Sequence, residues 1–191
     1  MSGVVFNKDI YIIEGFDMVG KSTFIEKYMD KFNLYYPTHD LTDKTIGRNN
    51  SWVIGYSVID YLKQLSERPR TVISRGVMSG QVYSRIYGNK FLDNCIIDYF
   101  KNDEFFCKEI GHIYLRHRDV ESAKKMFEAS KSREKNSNEV SAKLDNFRTF
   151  DYYWTYYTNA DLIFNDMYSK FGIEPRIFEV DFENKDFNEV L

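Results

Sequence analysis

The residues Glu14 to Thr23 read EGFDMVGKST, directly after the apolar run Ile10-Tyr11-Ile12-Ile13. Phe24, Ile25, Tyr28, Met29 and Phe32 then recur at helical spacing, so the segment reads as buried strand, turn and helix. The spacing Gly15-x-x-x-x-Gly20-Lys21-Ser22 is that of a phosphate-binding loop. Glycines let the backbone curl until its N–H groups, with those of Val19 to Thr23, point inward at an anion, and the following helix adds the positive end of its dipole. Lys21 is placed to reach the β- and γ-phosphates, and the Ser22 hydroxyl to hold Mg²⁺. The pattern arises by chance in roughly 1% of chains this long, before the strand and helix around it are counted. A nucleoside triphosphate is the expected ligand.

A chain of 191 residues is expected to form one domain, residues 1–191, burying about 70% of the surface its unfolded form exposes. Its net charge of −3 and the local character of Lys124-Lys125 and Lys131 to Lys135 argue against nucleic acid as a partner. Cys95 and Cys107 lack metal-ligand spacing and read as reduced, half-buried thiols of a cytoplasmic protein. No stretch approaches the ~20 apolar residues that span a bilayer, and no leader pattern opens the chain, so no membrane partner is expected. The abundance of Tyr, Phe, Asn, Lys and Ile is what AT-rich coding gives, and a viral source, with the protein in the host cytoplasm, fits it.

Apolar or β-branched runs alternate with helical patterns, the mark of a mostly parallel sheet covered by helices on both faces. Strands are predicted at 9–14, 33–37, 71–75, 112–116, 161–165 and 176–181, and helices at 21–32, 51–66, 79–87, 91–106, 119–131 and 139–158. In the last helix Val140, Leu144, Phe147, Phe150, Trp154 and Tyr157 form one stripe. The polar stretch from Ser130 to Glu139 reads as mobile. His112 and His117 flank a central strand without a ligand partner at metal spacing, and read as sheet-end residues.

After the strand Thr71-Val72-Ile73 comes SRGVMSGQVY, which puts Arg75 at the C-terminal edge of the sheet, where open α/β sheets bind ligands. A guanidinium there suits a second phosphate or the charge that develops during transfer. Together the two motifs resemble the thymidylate kinase family of nucleoside monophosphate kinases. EGFDMVGKST is similar to that family's E-G-x-D-x-x-G-K-S/T-T loop, and SRGVMSGQVY to its D-R-Y-x-x-S-x-x-x-F/Y segment; Tyr36-Pro37 through Gly47 is similar to an F-P-x-R-x-T-x-I-G stretch. The resemblance implies a three-layer P-loop kinase fold with a five-stranded sheet in order 2-3-1-4-5 and a short lid at about 130–139. It also implies a homodimer, and ATP- and Mg²⁺-dependent phosphorylation of a deoxynucleoside monophosphate.

Carried over by residue, the resemblance implies that Asp17 sits near the acceptor sugar and phosphate and that Arg75 binds the acceptor phosphate. Ser79 and Tyr83 would line the base pocket, Trp52 would stack on the base, and Arg133 and Lys135 would close over the triphosphate. Three positions depart from the family pattern. Ser74 replaces an acid before Arg75, His39 stands where an arginine is expected, and Tyr56 falls at a base-reading arginine. Arg48 or Lys44 are the nearby cations that could substitute at the acceptor phosphate. Thymidylate, deoxyuridylate and 5-modified deoxyuridylates all remain open as acceptors. Two other functions stay open: a deoxynucleoside kinase, for which Asp40 is the nearby candidate base, and a nucleotide-binding module without transfer chemistry. Asp17 favours the monophosphate kinase, because the phosphate loop of deoxynucleoside kinases usually lacks an acid there; a monophosphate acceptor also needs no base, whereas a sugar hydroxyl does.

Overall fold

The computed structural model describes residues 4–37, 51–86, 98–136, 147, 149–184 and 186–190, with backbone alone described at 36–37, 51–56, 84 and 133–136. Strand β1, Ile10–Glu14, is buried at all five positions, as a strand covered on both faces must be. It lies between β3, Thr71–Ser74, and β4, Gly111–His117, parallel to each. Beyond them lie β2, Leu34–Pro37, beside β3, and β5, Arg176–Asp181, beside β4, both again parallel. A last strand, β6, Asp186–Val190, turns back antiparallel along β5. The order is β2-β3-β1-β4-β5-β6. The sheet is therefore six-stranded and mixed, where the resemblance implied five strands.

Helix α1, Lys21–Tyr28, follows the glycine loop, and α2, Ser51–Gln64, leads into β3. Helix α3, Val77–Ile86, follows Arg75-Gly76; α4, Val120–Asn136, follows β4; and α5, Phe150–Phe171, leads into β5. A five-residue π-helical turn, Phe105–Glu109, precedes β4. Among the described residues no helix is long and apolar enough to cross a membrane.

The predicted strand at 161–165 is a correction: those residues lie inside α5. Leu162 is exposed while Phe164 is fully buried, so neighbours two apart face opposite ways, which no strand permits. The buried stripe runs through Tyr153, Tyr157, Ala160, Phe164, Met167 and Phe171. The helix also starts later than the predicted residue 139: Thr149 caps it, its Oγ1 accepting from Tyr152 N at 3.3 Å. Gly172, at φ 63°, ends it in the left-handed conformation that glycine adopts without strain. Of the predicted stripe, Phe147 and Tyr157 are buried, Phe150 and Trp154 half-buried, and Val140 and Leu144 lie outside the described residues.

The stretch from Ser130, read as mobile and as the start of a lid, continues α4 as regular helix through Asn136; residues 137–139 lie outside the described residues. Residues 91–97 of the predicted helix at 91–106 lie outside them too.

The core is largely aromatic. Phe24 on α1 packs edge-on against Phe178 of β5 and Phe187 of β6, at ring distances of 5.0 and 4.9 Å. Complete burial of one such ring stabilises the fold by about 1.5–3 kcal/mol. Strand β6 thus extends the sheet and also covers the helix that begins at the glycine loop.

Candidate active site

The loop between β1 and α1 is shaped by its backbone. Gly15 has φ 146°, and a Cβ there would stand 2.7 Å from the Leu115 carbonyl oxygen and 2.8 Å from Val19 Cγ2. Only glycine fits. Met18 at φ 62° and Gly20 at φ 78° make the two left-handed corners that curl the chain, and Phe24 N donates to Gly20 O at 2.9 Å as α1 begins. The cap residue Gly20 has no side chain to bond the first-turn amides, and that turn carries no acid. An anion is the natural complement to such a helix end.

Lys21 folds back over the loop. Its Nζ donates to Gly15 O at 2.7 Å and to Phe16 O at 2.6 Å, which buries the ammonium inside the curl. Ser22 and Thr23, next along α1, are exposed. Gly15, Val19, Gly20, Lys21, Ser22 and Thr23 are therefore gathered in one cradle at the C-terminal edge of the sheet.

Arg75 reaches the same edge. It has φ 64°, an uncommon conformation for a residue with a Cβ, and its N–H donates to Ile13 O at 3.0 Å. Its guanidinium forms an ion pair with Asp17 inside the loop and lies 5.3 Å above the Tyr83 ring. Both partners of the pair are mostly shielded from solvent, with side chains 17% and 19% exposed. Tyr83 stacks in turn on Phe16 at 5.5 Å, so the arginine rests on an aromatic pile anchored in the loop.

Ser79, which the resemblance puts in a base pocket, is fully buried, and its N–H and Oγ–H both donate to Glu14. Glu14 also accepts from Gly76 N at 2.9 Å. Burial raises its carboxyl to about 7, against the lowering pull of those hydrogen bonds and of the Lys21 charge. Trp52 and Tyr56 lie on α2, and Arg133 and Lys135 on α4, where only the backbone is described. His39, with Asp40, Lys44 and Arg48, falls outside the described residues.

Two side chains that sequence reasoning did not connect with the loop brace it. Tyr153 on α5 donates its hydroxyl to Asp17 O at 2.8 Å, and His117 Nε2 meets that hydroxyl at 2.8 Å. Because the tyrosine proton goes to the carbonyl, Nε2 carries the histidine proton. Burial, followed by the nearby Lys21 charge, lowers His117 to about 3 and keeps it neutral. His112, near the other end of β4, meets Phe106 O at 2.9 Å, and burial lowers it to about 4. Cys107 is half-buried with its Sγ 3.3 Å from Phe100 O, and Cys95 lies outside the described residues.

Magnesium can be tested against this geometry. Among the described residues no three His, Cys, Asp or Glu side chains cluster to hold a metal. Ser74, at the position where the thymidylate kinase pattern has an acid, is buried. The exposed Ser22 hydroxyl fits a Mg²⁺ that takes its other ligands from phosphates and water, the usual arrangement for this ion.

No protein-family model matches the chain, and no curated protein matches it. Solved structures do. The YorR protein of Bacillus subtilis, in complex with phosphorylated GDP, is similar with a TM-score of 0.54 at 17% identity, over 89% of this chain and 85% of that one. Shikimate kinase from Bacteroides thetaiotaomicron gives a TM-score of 0.49 at 13% identity, over 89% and 85%. Deoxyadenosine kinase from M. mycoides gives 0.46 at 19% identity, over 91% and 90%. The likeness is one of fold alone.

Proposed function

We propose that this chain transfers the γ-phosphoryl group of ATP to the phosphate of a pyrimidine deoxynucleoside monophosphate, thymidylate, deoxyuridylate or a 5-modified deoxyuridylate. The observation that carries the reading is the pairing of Arg75 with Asp17 beside the Lys21 cradle. It brings a second phosphate-binding group to the loop that takes the first. An acceptor phosphate entering beside Asp17 would take over the same guanidinium N–H donors.

The chemistry needs little from the protein beyond position and charge. An oxygen of the acceptor phosphate attacks the γ-phosphorus, the bond from that phosphorus to the bridging oxygen breaks, and ADP leaves with the electron pair. The acceptor oxygen is already ionised, so no side chain has to remove a proton. Lys21 and the loop amides hold the donor phosphates, and Arg75 holds the acceptor and balances charge on the moving group. The Ser22 hydroxyl would hold Mg²⁺, which would supply further charge neutralisation of the donor phosphates. The nucleotide seen with YorR on a similar fold supports a nucleotide as the ligand class. Arg133 and Lys135 on α4 are proposed to close over the triphosphate, Trp52 and Tyr56 to meet the base, and His39 to lie near the acceptor phosphate.

The test is ATP consumption across the four common deoxynucleoside monophosphates, deoxyuridylate, 5-hydroxymethyl-deoxyuridylate and free thymidine. Turnover with a pyrimidine monophosphate is expected. Turnover with thymidine alone would give the reaction to a deoxynucleoside kinase, and ATP binding without any product would leave a binding module.

A further inference from the structure

We propose that Glu14 is a positioning residue: from the end of β1 it clamps the first turn of α3, and so holds Arg75 at the distance from the phosphate loop that acceptor binding requires. Its importance for acceptor use rests on the phosphoryl-transfer reading above, whereas the clamp itself does not.

Glu14 precedes Gly15, where the loop begins, and its carboxylate is 1% exposed. One oxygen accepts from Gly76 N at 2.9 Å, and the other from Ser79 N at 3.2 Å and from Ser79 Oγ. These donors belong to the residue that opens α3 and to its first turn, where a helix leaves N–H groups unpaired. Gly76 has no side chain of its own with which to cap them. A Cβ at Gly76 would stand 2.8 Å from Glu14 Oε1 and 2.7 Å from Ile12 Cγ2, so this approach requires glycine. The cap therefore comes from a different strand, and it is an acid in an otherwise apolar run.

Arg75 sits between this clamp and the loop. Its N–H goes to Ile13 O, the next residue's N–H to Glu14, and its guanidinium to Asp17. Three successive attachments from residues 13, 14 and 17 thus hold one arginine in a left-handed backbone conformation. A buried acid placed here only to start a helix would leave its effect in stability. A clamp between two substrate sites acts on one substrate more than the other.

The experiment compares wild type with Glu14→Gln, and with Ser79→Ala should Glu14→Gln not fold. A carboxamide keeps one acceptor oxygen and replaces the other with a donor, which breaks the clamp without opening a cavity. With turnover, the KM for the acceptor should rise about tenfold while that for ATP stays within about twofold. Independently of turnover, hydrogen exchange at the Arg75 backbone N–H, which donates to Ile13 O at 3.0 Å, should quicken about tenfold, its ¹⁵N signal assigned with Arg75→Ala. If wild type turns over no acceptor, the functional reading fails and the exchange measurement alone decides the clamp. Unchanged Arg75 exchange, or equal KM rises for both substrates, overturns the proposal.

Discussion

At the scale of single residues, the proposed reaction divides its work between Lys21 and Arg75. Lys21 already has its charge inside the curl of the loop, held by two carbonyl oxygens. In the proposed reaction Lys21→Ala would remove a preorganised donor to the transferred group, and turnover should fall by at least about two decades, by analogy with an oxyanion donor worth roughly 3–4 kcal/mol. A Lys21→Ala protein with near-normal kcat would remove the residue from the mechanism. Arg75→Ala should impair use of the acceptor while ATP binding, read by calorimetry, is retained. Glu14 yields a separate expectation in pH. Its folded value is raised from 4.5 to about 7, so the stability it contributes is complete below about 4.5 and is lost as pH rises through 7. Between those limits, wild type should lose on the order of 3 kcal/mol that Glu14→Gln does not, measured by urea unfolding at stepped pH. The shape of the glycine loop was legible in the sequence because it is written into ten contiguous residues and depends on backbone conformation at Gly15 and Gly20. The role of Glu14 was not, because its partners Gly76 and Ser79 arrive through the fold. The motif position of Ser79 carries no information on which way its side chain turns, so its bonds to Glu14 could not be read there.

At the scale of elements, the strands that bound the site could be read because each carries a contiguous apolar or β-branched centre, Ile10 to Ile13 in β1, Thr71 to Ile73 in β3 and Ile113 to Leu115 in β4, as buried parallel strands do. Helix α5 misled for the same reason. Ala160 to Phe164 contains a short apolar run, and length alone does not separate such a run from a strand. The periodicity over 22 residues does separate them, and it makes a measurable contrast. Phe164→Ala should cost about 3–5 kcal/mol, because it empties a fully enclosed ring site against Tyr114, whereas Leu162→Ala should stay within about 0.5 kcal/mol. Denaturant midpoints of the two variants check this; similar losses at both positions would argue for the strand. Strand β6 escaped notice because its sequence, DFNEV, offers Phe187 as its one buried side chain. An edge strand with one face in water leaves too few apolar positions to establish a period.

At the scale of the whole molecule, the parallel strands bring to one edge of the sheet groups that are far apart in the chain, and the loop is held from several of them at once. Asp17 shows this best. Its carboxylate meets Arg75 from the end of β3, while its carbonyl accepts from Tyr153 of α5, whose oxygen is met by His117 at the end of β4. A neutral His117 suits this chain of donors, and its low value keeps it neutral throughout the pH range in which a phosphoryl acceptor is ionised. No spacing in the sequence links residues 17, 117 and 153. Tyr153→Phe keeps the buried ring, which packs against Phe16, Phe127 and Phe147, and deletes only the hydroxyl. It leaves one buried carbonyl and one buried imidazole N–H without that partner, so unfolding should require about 1–3 kcal/mol less, with an unchanged dependence on denaturant. The corner at Met18 should also loosen, and the KM for ATP should rise while that for the acceptor follows less, the reverse of the pattern expected for Glu14→Gln. If Tyr153→Phe matches wild type in both midpoint and KM, the hydroxyl is not what braces the loop, and the aromatic packing around Phe16 is left to hold it.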